Sequence, residues 1–228
     1  MYIISIVLFA KSTKNIKRLN SNERNEMNLP DNINATLVGI LLSDGHLQRR
    51  SQSSNVRFIF NQSGKIEKRP YFDLIYSMFK LCCTKNFEYY IKTGLNKKNG
   101  KEYSSISFTT MQLPCFTKIY SLWYLNKKKI VPINIQELLT SERLAHWIIG
   151  DGSRQNKGLH LSMYAFTWDE VKLLISVLEN KFGFKCSCHI HSSIGEKWRI
   201  YIWEESMEKL IKLVAPYMIN SMLYKIQR

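Results

Sequence analysis

The sequence predicts an α+β protein made of two similar halves, each with the order helix, two strands, helix, two strands, helix. The first observation behind this prediction is an apolar helical segment ending in Asp-Gly, which occurs twice, as LVGILLSDG (residues 37–45) and LAHWIIGDG (residues 144–152). The second is that similar runs of strand and helix patterns follow both copies. The third is that Asp44 and Asp151 lie 107 residues apart, which suits one such unit and indicates a tandem duplication.

Composition restricts the class of protein and suggests a type of partner. The chain has 228 residues, 45% hydrophobic and 22% charged, which is typical of a soluble globular protein and not of a disordered one. An excess of 33 basic over 18 acidic residues gives a net charge of +15. Such a charge predicts a polyanionic partner, nucleic acid first and an anionic membrane surface second. The alternative is that the charge only keeps the protein soluble.

The cysteines favour neither disulfides nor a zinc site. There are five, an odd number, and two of them are adjacent, which argues against a secreted disulfide framework. The stretch CSCHIH (residues 186–191) contains possible zinc ligands. If it is a strand, its cysteines face one side and its histidines the other, so four ligands cannot converge on one ion.

Residues 1–29 are predicted to be an N-terminal extension or arm outside both halves. Its first 10 residues, MYIISIVLFA, are apolar but reach about half the length that a bilayer crossing requires. They lack the preceding basic region of a signal peptide. We expect an added strand or helix packed on the body, or a remnant of an upstream reading frame, and no membrane segment. The polar, basic stretch at 11–30 indicates a linker or an arm that touches nucleic acid.

The first half is predicted to span residues 30–128. A helix at 34–43 is followed by a polar stretch and then by a strand at 55–62. A helix starts at Pro70, as proline favours. Strands at 87–93 and 102–110 flank a basic loop at 94–101, and a helix at 114–126 completes the unit.

The second half is predicted to span residues 141–228, after a connector at 129–140. Its first helix ends at Gly150, and a strand follows at 158–165. Thr167 is expected to cap an amphipathic helix that ends at Gly183. Strands at 184–191 and 196–205 and a helix at 206–218 follow.

The two aspartates are electrostatically unfavourable where they stand, because a helix C-terminus carries partial negative charge. Gly45 is expected to be the left-handed residue that ends the first helix. A single Asp-Gly pair is an ordinary turn, but two pairs at matching places in a basic chain point to function. If the two helices pack together, Asp44 and Asp151 become neighbours and raise each other's pKa.

Small residues on both helices would permit this approach; they are Gly39, Ser43, Ala145 and Gly150. A divalent cation would relieve the repulsion between the carboxylates. The hard oxygen ligands suit Mg²⁺ or Mn²⁺, with the backbone carbonyls of Ser43 and Gly150 as further donors. Such a site can activate water and stabilise the leaving oxygen in phosphodiester hydrolysis.

Both segments resemble the signature motifs of the LAGLIDADG homing endonucleases in their single-chain form, and the flanking stretches KKKIVP, FTWDEVKLL and PYMINSMLYKI resemble the mitochondrial intron-encoded subgroup. The resemblance covers roughly residues 30–228. It implies two pseudo-symmetric αββαββα units, each with an antiparallel, saddle-like sheet, packed through the two motif helices. It also implies a monomer that cuts both strands of a long, asymmetric DNA target to leave 3′ overhangs, and a mitochondrial, organelle-encoded origin.

The resemblance also assigns roles to individual residues. Asp44 and Asp151 match the catalytic, metal-binding pair. Lys129 and Lys225 match basic residues near the active site, and Gln62 matches a polar position that contacts the active-site water network. Each of these last three has the alternative of being an ordinary surface residue. Two departures are expected to matter: Tyr164 stands where the second half often has Gln, so the two active sites would be unequal, and His146 replaces a small residue, which predicts a looser helix crossing.

DNA contacts are predicted from strands and loops rich in basic and polar residues. In the strand at 55–62, Arg57 and Asn61 share a face, and in the strand at 196–205, Arg199 and Tyr201 do. Arginine can read guanine bidentately, and the loops at 48–54 and 96–101 have the composition of phosphate-contacting tips. The predicted contacts are Arg49, Arg50, Arg57, Asn61, Lys97, Lys98, Lys101, Arg154, Lys157, Arg199 and Tyr201.

Two other functions fit the same scaffold. One is an RNA-binding maturase that helps its host intron to splice, with intron RNA as the partner. The other is a DNA-binding regulator that does not cut. The two intact aspartates favour cleavage, because a regulator would tolerate their loss.

Overall fold

The computed structural model describes residues 20–84, 89–95, 100–190 and 197–227. Within these residues the predicted α+β class and the repetition of one unit are confirmed. Two four-stranded antiparallel sheets form, one from each half of the chain, and their strand orders are equivalent: β1-β2-β4-β3 and β7-β8-β10-β9. The bounds of the elements are given half by half below.

A short helix, α1 (Ser21–Glu26), lies within the predicted N-terminal arm and precedes the first half. The first motif helix and the elements of the first sheet follow. They are α2 (Asp31–Leu41), β1 (Gly45–Arg49), β2 (Val56–Ser63), α3 (Arg69–Phe79), β3 (Tyr90–Leu95), β4 (Glu102–Thr109) and α4 (Pro114–Trp123). A two-stranded hairpin of β5 (Tyr124–Leu125) and β6 (Lys128–Lys129) and a single helical turn, α5 (Ile135–Leu138), lead into the second half.

The second half repeats this order. It contains α6 (Ser141–Asp151), β7 (Gly152–Gln155), β8 (Gly158–Met163), α7 (Trp168–Phe182), β9 (Cys186–Ile190), β10 (Trp198–Ile202) and α8 (Glu204–Val214). Two 3₁₀ segments, Ala215–Tyr217 and Asn220–Lys225, follow. Helix α7 has the predicted ends: Thr167 and Glu170 form a capping box, and Gly183 is left-handed with φ 63°.

Two short strands that sequence patterns left unassigned begin directly after the motif aspartates. Strand β1 lies in the predicted polar stretch, and β7 precedes the predicted strand at 158–165. The prediction that Gly45 is left-handed was wrong, because its φ is not positive. Glycine is required there for space instead: a methyl group would overlap the Ile40 side chain and lie 2.9 Å from the Phe58 ring.

Each sheet has one apolar and one polar face. In the first sheet, Phe58 and Phe60 of β2 are buried against the helices, and Phe58 stacks on Phe79 at 4.6 Å between ring centroids. In the second sheet, Ile200 and Ile202 of β10 are fully buried. The alternate residues of the same strands face away from the core, which leaves a polar surface on each sheet.

The two motif helices, α2 and α6, pack directly against each other. A methyl group at Gly39 would lie 2.7 Å from the His146 Cβ, and one at Gly150 would overlap the Ser43 side chain. The predicted looser crossing at His146 was therefore wrong, since Gly39 makes room for it. The His146 Nδ1 lies 2.9 Å from the Tyr71 hydroxyl of α3, and this buried hydrogen bond joins the two halves.

The structure describes only part of the predicted N-terminal arm. Residues 1–19 lie outside them, so the predicted role of the first apolar run is untested. In the described part of the chain, no helix has both the length and the apolar character needed to cross a membrane.

Candidate active site

The candidate active site lies where the two motif helices end. Helix α2 ends at Leu41 and is followed by a turn to Asp44, whereas α6 continues to Asp151. Because Ser43 and Gly150 touch, these two ends lie at the same level. Both carboxylates are partly buried, and Asp44 lies close enough for its charge to raise the pKa of Asp151. The structure thus brings the two predicted aspartates together.

Lys129 holds the end of the first motif helix. It sits in β6, and its Nζ donates hydrogen bonds to the carbonyl oxygens of Leu41 (2.8 Å), Ser43 (3.3 Å) and Gly45 (2.9 Å). An ammonium group has three N–H donors, so these three bonds use all of them.

Lys225 has the corresponding place in the second half but makes fewer bonds. Its Nζ donates to the carbonyl oxygens of Ile148 (3.3 Å) and Gly150 (3.1 Å), which are equivalent to those of Leu41 and Ser43. Among the described residues it has no third acceptor, so one N–H remains available. The two lysines are therefore equivalent in position but not in hydrogen bonding.

Burial is the largest influence on the pKa values of the charged groups in the site. Burial raises the pKa of Asp44, and burial together with the charge of Asp44 raises the pKa of Asp151 to about 7. Burial lowers the pKa of Lys129 to about 8, and burial together with the charge of Lys68 lowers the pKa of Lys225 to about 8. Within the described residues, neither carboxylate accepts a hydrogen bond or forms an ion pair.

Lys68 is a site residue that sequence reasoning missed. It ends the 3₁₀ segment Ile66–Lys68, and its charge opposes the upward pKa shifts of both aspartates. Gln62, predicted to belong to the site, is buried on β2, and its Nε2 donates to the Lys68 carbonyl oxygen at 2.7 Å. Gln62 therefore fixes the backbone of Lys68. No sequence pattern marks Lys68, because only the packing of this segment brings it to the aspartates.

The equivalent of Gln62 in the second half is Met163, and the expectation that it is Tyr164 was wrong. Gly45 pairs with Phe60 in the first sheet and Gly152 with Leu161 in the second, so residues two positions further along β2 and β8 correspond. Met163 is fully buried, and its side chain has no N–H donor that could replace that of Gln62. Tyr164 lies one residue beyond and accepts a hydrogen bond from the Arg199 Nε at 2.6 Å. The two sides of the site are unequal, as predicted, but at a different residue.

The donor set at the aspartates fits a hard divalent cation. Among the described residues, no group of three or more His, Cys, Asp and Glu side chains converges. The described part of the chain would therefore offer the two carboxylates, neither of which has a hydrogen-bond or ion-pair partner there, and leave further positions to water and phosphate, as Mg²⁺ prefers. The carbonyls of Ser43 and Gly150, predicted as additional ligands, already accept hydrogen bonds from Lys129 and Lys225.

The polar faces of the two sheets carry some of the predicted DNA contacts. On the first sheet, Arg57 and Asn61 face away from the core, and Arg57 donates to the Gln48 Oε1 on β1. On the second sheet, Arg199 and Tyr201 share the corresponding face of β10. The structure thus keeps these four residues on the surfaces that could meet a duplex.

Other predicted contacts lie elsewhere. Arg49 is on the helix-facing side of β1, where it donates to the Ser54 carbonyl oxygen and covers the Tyr120 ring. Arg154 donates to the Ile226 carbonyl oxygen at 3.2 Å. Neither arginine shares the polar faces, because strand residues alternate between the two sides. Arg50 and Lys101 are exposed, and Lys157 is exposed and paired with Glu204 at 3.1 Å. Lys97 and Lys98 lie outside the described residues.

Further polar-face residues were missed because their spacing carries no motif. On the second sheet, the rings of His160 and His189 lie 5.0 and 5.7 Å from that of Tyr201 between centroids. On the first sheet, His46 of β1 lies close enough to Lys129 and Arg57 that their charges add to the effect of burial in lowering its pKa. These side chains add donors, acceptors and ring surfaces to the two polar faces.

Comparison with known proteins gives a consistent result. The model of the LAGLIDADG DNA endonuclease family matches residues 35–210. The chain is 37% identical over 158 residues to the intron-encoded endonuclease ai4 of Dictyostelium discoideum, covering 67% of this chain and 98% of that protein. It is 31% identical over 241 residues to the cytochrome b mRNA maturase bI2 of Saccharomyces cerevisiae, covering 98% of this chain. The chain spans 55% of the length of that maturase.

Among solved structures, the fold is similar to that of the homing endonuclease I-WcaI bound to its DNA recognition sequence. The match has a TM-score of 0.78 and 25% sequence identity, and it covers 88% of both chains. The repeated unit, the paired helices and the order of the sheets are thus those of a known architecture.

Proposed function

This chain belongs to the LAGLIDADG DNA endonuclease family, and we propose that it is a site-specific endonuclease that cuts both strands of double-stranded DNA. The observation that carries the proposal is the pair of carboxylates, Asp44 and Asp151, held side by side at the ends of the motif helices, with no hydrogen-bond or ion-pair partner among the described residues. Two neighbouring carboxylates with no ligand would lower the stability of the fold, since like charges repel in a partly buried site. A divalent cation, Mg²⁺ or Mn²⁺, would be attracted by both carboxylates and would remove the repulsion between them.

The side chains around the aspartates have distinct parts in the proposed reaction. Asp44 and Asp151 would hold the cation, which when bound supplies activation of water and stabilisation of the leaving oxygen. Lys225 retains an N–H that can donate to a phosphate oxygen or to the attacking water. Lys129, with all three donors engaged, acts by holding the first helix end and by its charge. Lys68 adds positive charge on the side of the first half.

The duplex would lie across the polar faces of the two sheets. Arg57, Asn61, Arg199 and Tyr201 are the proposed base-contacting residues, with His160 and His189 beside them. Strands of typical length, placed end to end, would follow ~40–60 Å of duplex, or about 12–18 base pairs. Because the two halves differ in sequence, one monomer would read an asymmetric target, and the cut would leave 3′ overhangs. Arg50, Lys101 and Lys157 are the proposed phosphate contacts.

The experiment that tests this proposal begins with a randomised pool of DNA duplexes and no divalent cation. We expect the protein to select an asymmetric sequence and to cut both of its strands after Mg²⁺ is added. Affinity should fall steeply with salt, because phosphate contacts release counterions. Tight and specific binding without cleavage in Mg²⁺ or Mn²⁺ would contradict the proposal.

A second function, intron maturation, is supported by the likeness to the bI2 maturases. The proposal in this case is that the chain binds the RNA of its host intron and promotes splicing, alone or beside DNA cleavage. Splicing of the host intron transcript, measured with and without protein, tests it. Retention of splicing in Asp44→Asn would show that the two activities are separable. These relatives are named as maturases of cytochrome b mRNA, and on that likeness we propose a mitochondrial location for this chain.

A further inference from the structure

The β5–β6 hairpin beside the candidate active site carries a lysine in a backbone conformation that lysine rarely adopts. Its two strands are joined by two residues, Asn126 (φ 50°) and Lys127 (φ 65°). Two left-handed residues in a two-residue loop make a type I′ turn, which favours Asn first and glycine second. Asn126 fits this preference. Lys127 does not, because its Cβ is crowded in the left-handed region.

The base of the hairpin is fixed to the body at several points. The Leu47 N–H donates to the Tyr124 hydroxyl at 2.9 Å, and the Ile130 N–H donates to the Trp123 carbonyl oxygen at 2.8 Å. Lys129 adds its three hydrogen bonds to the end of the first motif helix. The tip is therefore held at a defined place relative to the aspartates.

The tip itself faces solvent and is basic. Leu125, Asn126, Lys127 and Lys128 are all exposed. Within the described part of the chain, the ammonium groups of Lys127 and Lys128 form no hydrogen bond or ion pair. Packing thus gives no reason for a lysine at the position where glycine would fit better. A side chain that occupies a position disfavoured by its own backbone conformation is a candidate for contact with another molecule.

We propose that Lys127 contacts the DNA backbone beside the phosphate that is cut, and so positions the duplex over the aspartates. This proposal rests on the proposed endonuclease function. Two residues of strand carry the chain about 7 Å from Lys129 to Lys127. That distance corresponds to about two base-pair steps along the helix axis. Lysine binds phosphate as a point charge, so Lys127 would position the duplex without reading its sequence.

The contact is expected in one half of the target only. The second half supplies Lys225 from the 3₁₀ segment Asn220–Lys225, and among its described residues no separate two-stranded hairpin leads up to that lysine. Its two-residue tip, Asn156 and Lys157, joins β7 to β8 within the main sheet instead. A loss of Lys127 should therefore affect phosphates on one side of the cleavage site and leave the other side unchanged.

The test uses three substitutions of Lys127 on the duplex selected by the parent protein. Lys127→Gly should raise the Tm by about 1–3 °C, since it relieves the backbone, and should weaken DNA binding about 3–10-fold near 0.1 M salt. The slope of log affinity against log salt should fall by about 0.9. Lys127→Asn should weaken binding equally, and Lys127→Arg should retain it. Lys172→Gln, which removes an exposed charge on α7, is the control and should bind like the parent.

Phosphate ethylation interference then locates the contact. We expect one or two phosphates beside the cut, in one half of the target, whose ethylation weakens the parent but not Lys127→Gly. Equal affinity, salt slope and interference for parent and Lys127→Gly would overturn this proposal alone. A parent protein that selects no duplex would overturn the proposed function, and this proposal with it.

Discussion

Ser43 and Gly150 stand at equivalent positions of the two motifs and touch each other where the motif helices end. Each is followed directly by a motif aspartate. Because a side chain is present on only one of the two helices at this level, the helix ends approach closely, and the carboxylates come together. This small contact therefore helps to set how closely the two carboxylates approach.

Gly150→Ala should destabilise the protein and impair cleavage. The added methyl group overlaps the Ser43 side chain, and overpacking of this kind costs about 1–3 kcal/mol. Chemical denaturation measures the stability, and cleavage of the selected duplex measures the activity. The double variant Ser43→Gly/Gly150→Ala should recover part of both, because the next neighbour, the Asp44 nitrogen, lies at an acceptable 3.6 Å. Equal defects in the single and double variants would show that this contact does not set the geometry.

Replacement of the two active-site lysines by methionine should have different effects. Lys129→Met leaves three carbonyl oxygens without their donor and should lower the free energy of unfolding by about 1–3 kcal/mol. Lys225→Met breaks two longer bonds and should cost less stability. The Lys225→Met variant should nevertheless cut bound DNA more slowly in a single turnover than its small loss of stability explains, since the free N–H of Lys225 is lost. Identical stability and rate profiles for the two variants would contradict this division.

Lys68→Gln should bind Mg²⁺ more tightly than the parent when no DNA is present. Lys68 places positive charge near both aspartates, and its removal reduces repulsion of a cation. We expect a gain of about 2- to 10-fold, measured from the rise of Tm with Mg²⁺ concentration. The same variant should bind DNA more weakly. Lys172→Gln is the matched control for loss of one positive charge, and an equal change in both variants would refute a local role for Lys68.

His146 should make stability depend on pH in the acid range. Burial lowers its pKa to about 4, against an ordinary value near 6.5 that applies in the unfolded chain. Between pH 6.5 and 4 the unfolded state therefore binds more protons, so the stabilising contribution is complete above 6.5 and is lost as pH falls. The loss is about 1.4 kcal/mol per pH unit. Denaturation of the parent and of His146→Gln across this range isolates the effect, because the aspartates titrate in both.

A parallel pH dependence of the two proteins would contradict this assignment. The pKa of His146 can also be read directly from its ring resonances by NMR. A value near 6.5 in the folded protein would show that the Tyr71–His146 hydrogen bond is open to solvent.

The parts of the fold that sequence predicted well are those with strong local signals. The capping box of Thr167 and Glu170 and the left-handed Gly183 set the ends of α7 by short-range chemistry. The motif helices have long apolar runs that only burial explains. By contrast, β1 and β7 were missed because they are short and mostly polar, and tertiary pairing with β2 and β8 creates them.

The two aspartates of the candidate site could be predicted from the sequence, whereas several of the residues around them could not. Asp44 and Asp151 are recognisable because they break a local electrostatic preference twice. Lys68 carries no such mark, and the correspondence of Gln62 with Met163 depends on strand register, which sequence alone does not fix. Arg49 and Arg154 are of a residue type that often contacts DNA, but the alternation of strand residues places their side chains on the opposite side from the polar faces.

The most direct test of the central claim, that both aspartates form one cutting site, is strand-resolved cleavage of the selected duplex by the parent, Asp44→Asn and Asp151→Asn. All three proteins should bind the duplex with similar affinity. The account predicts that the parent cuts both strands in Mg²⁺ and that each variant fails to make the double-strand cut. Full double-strand cleavage by either variant would contradict it.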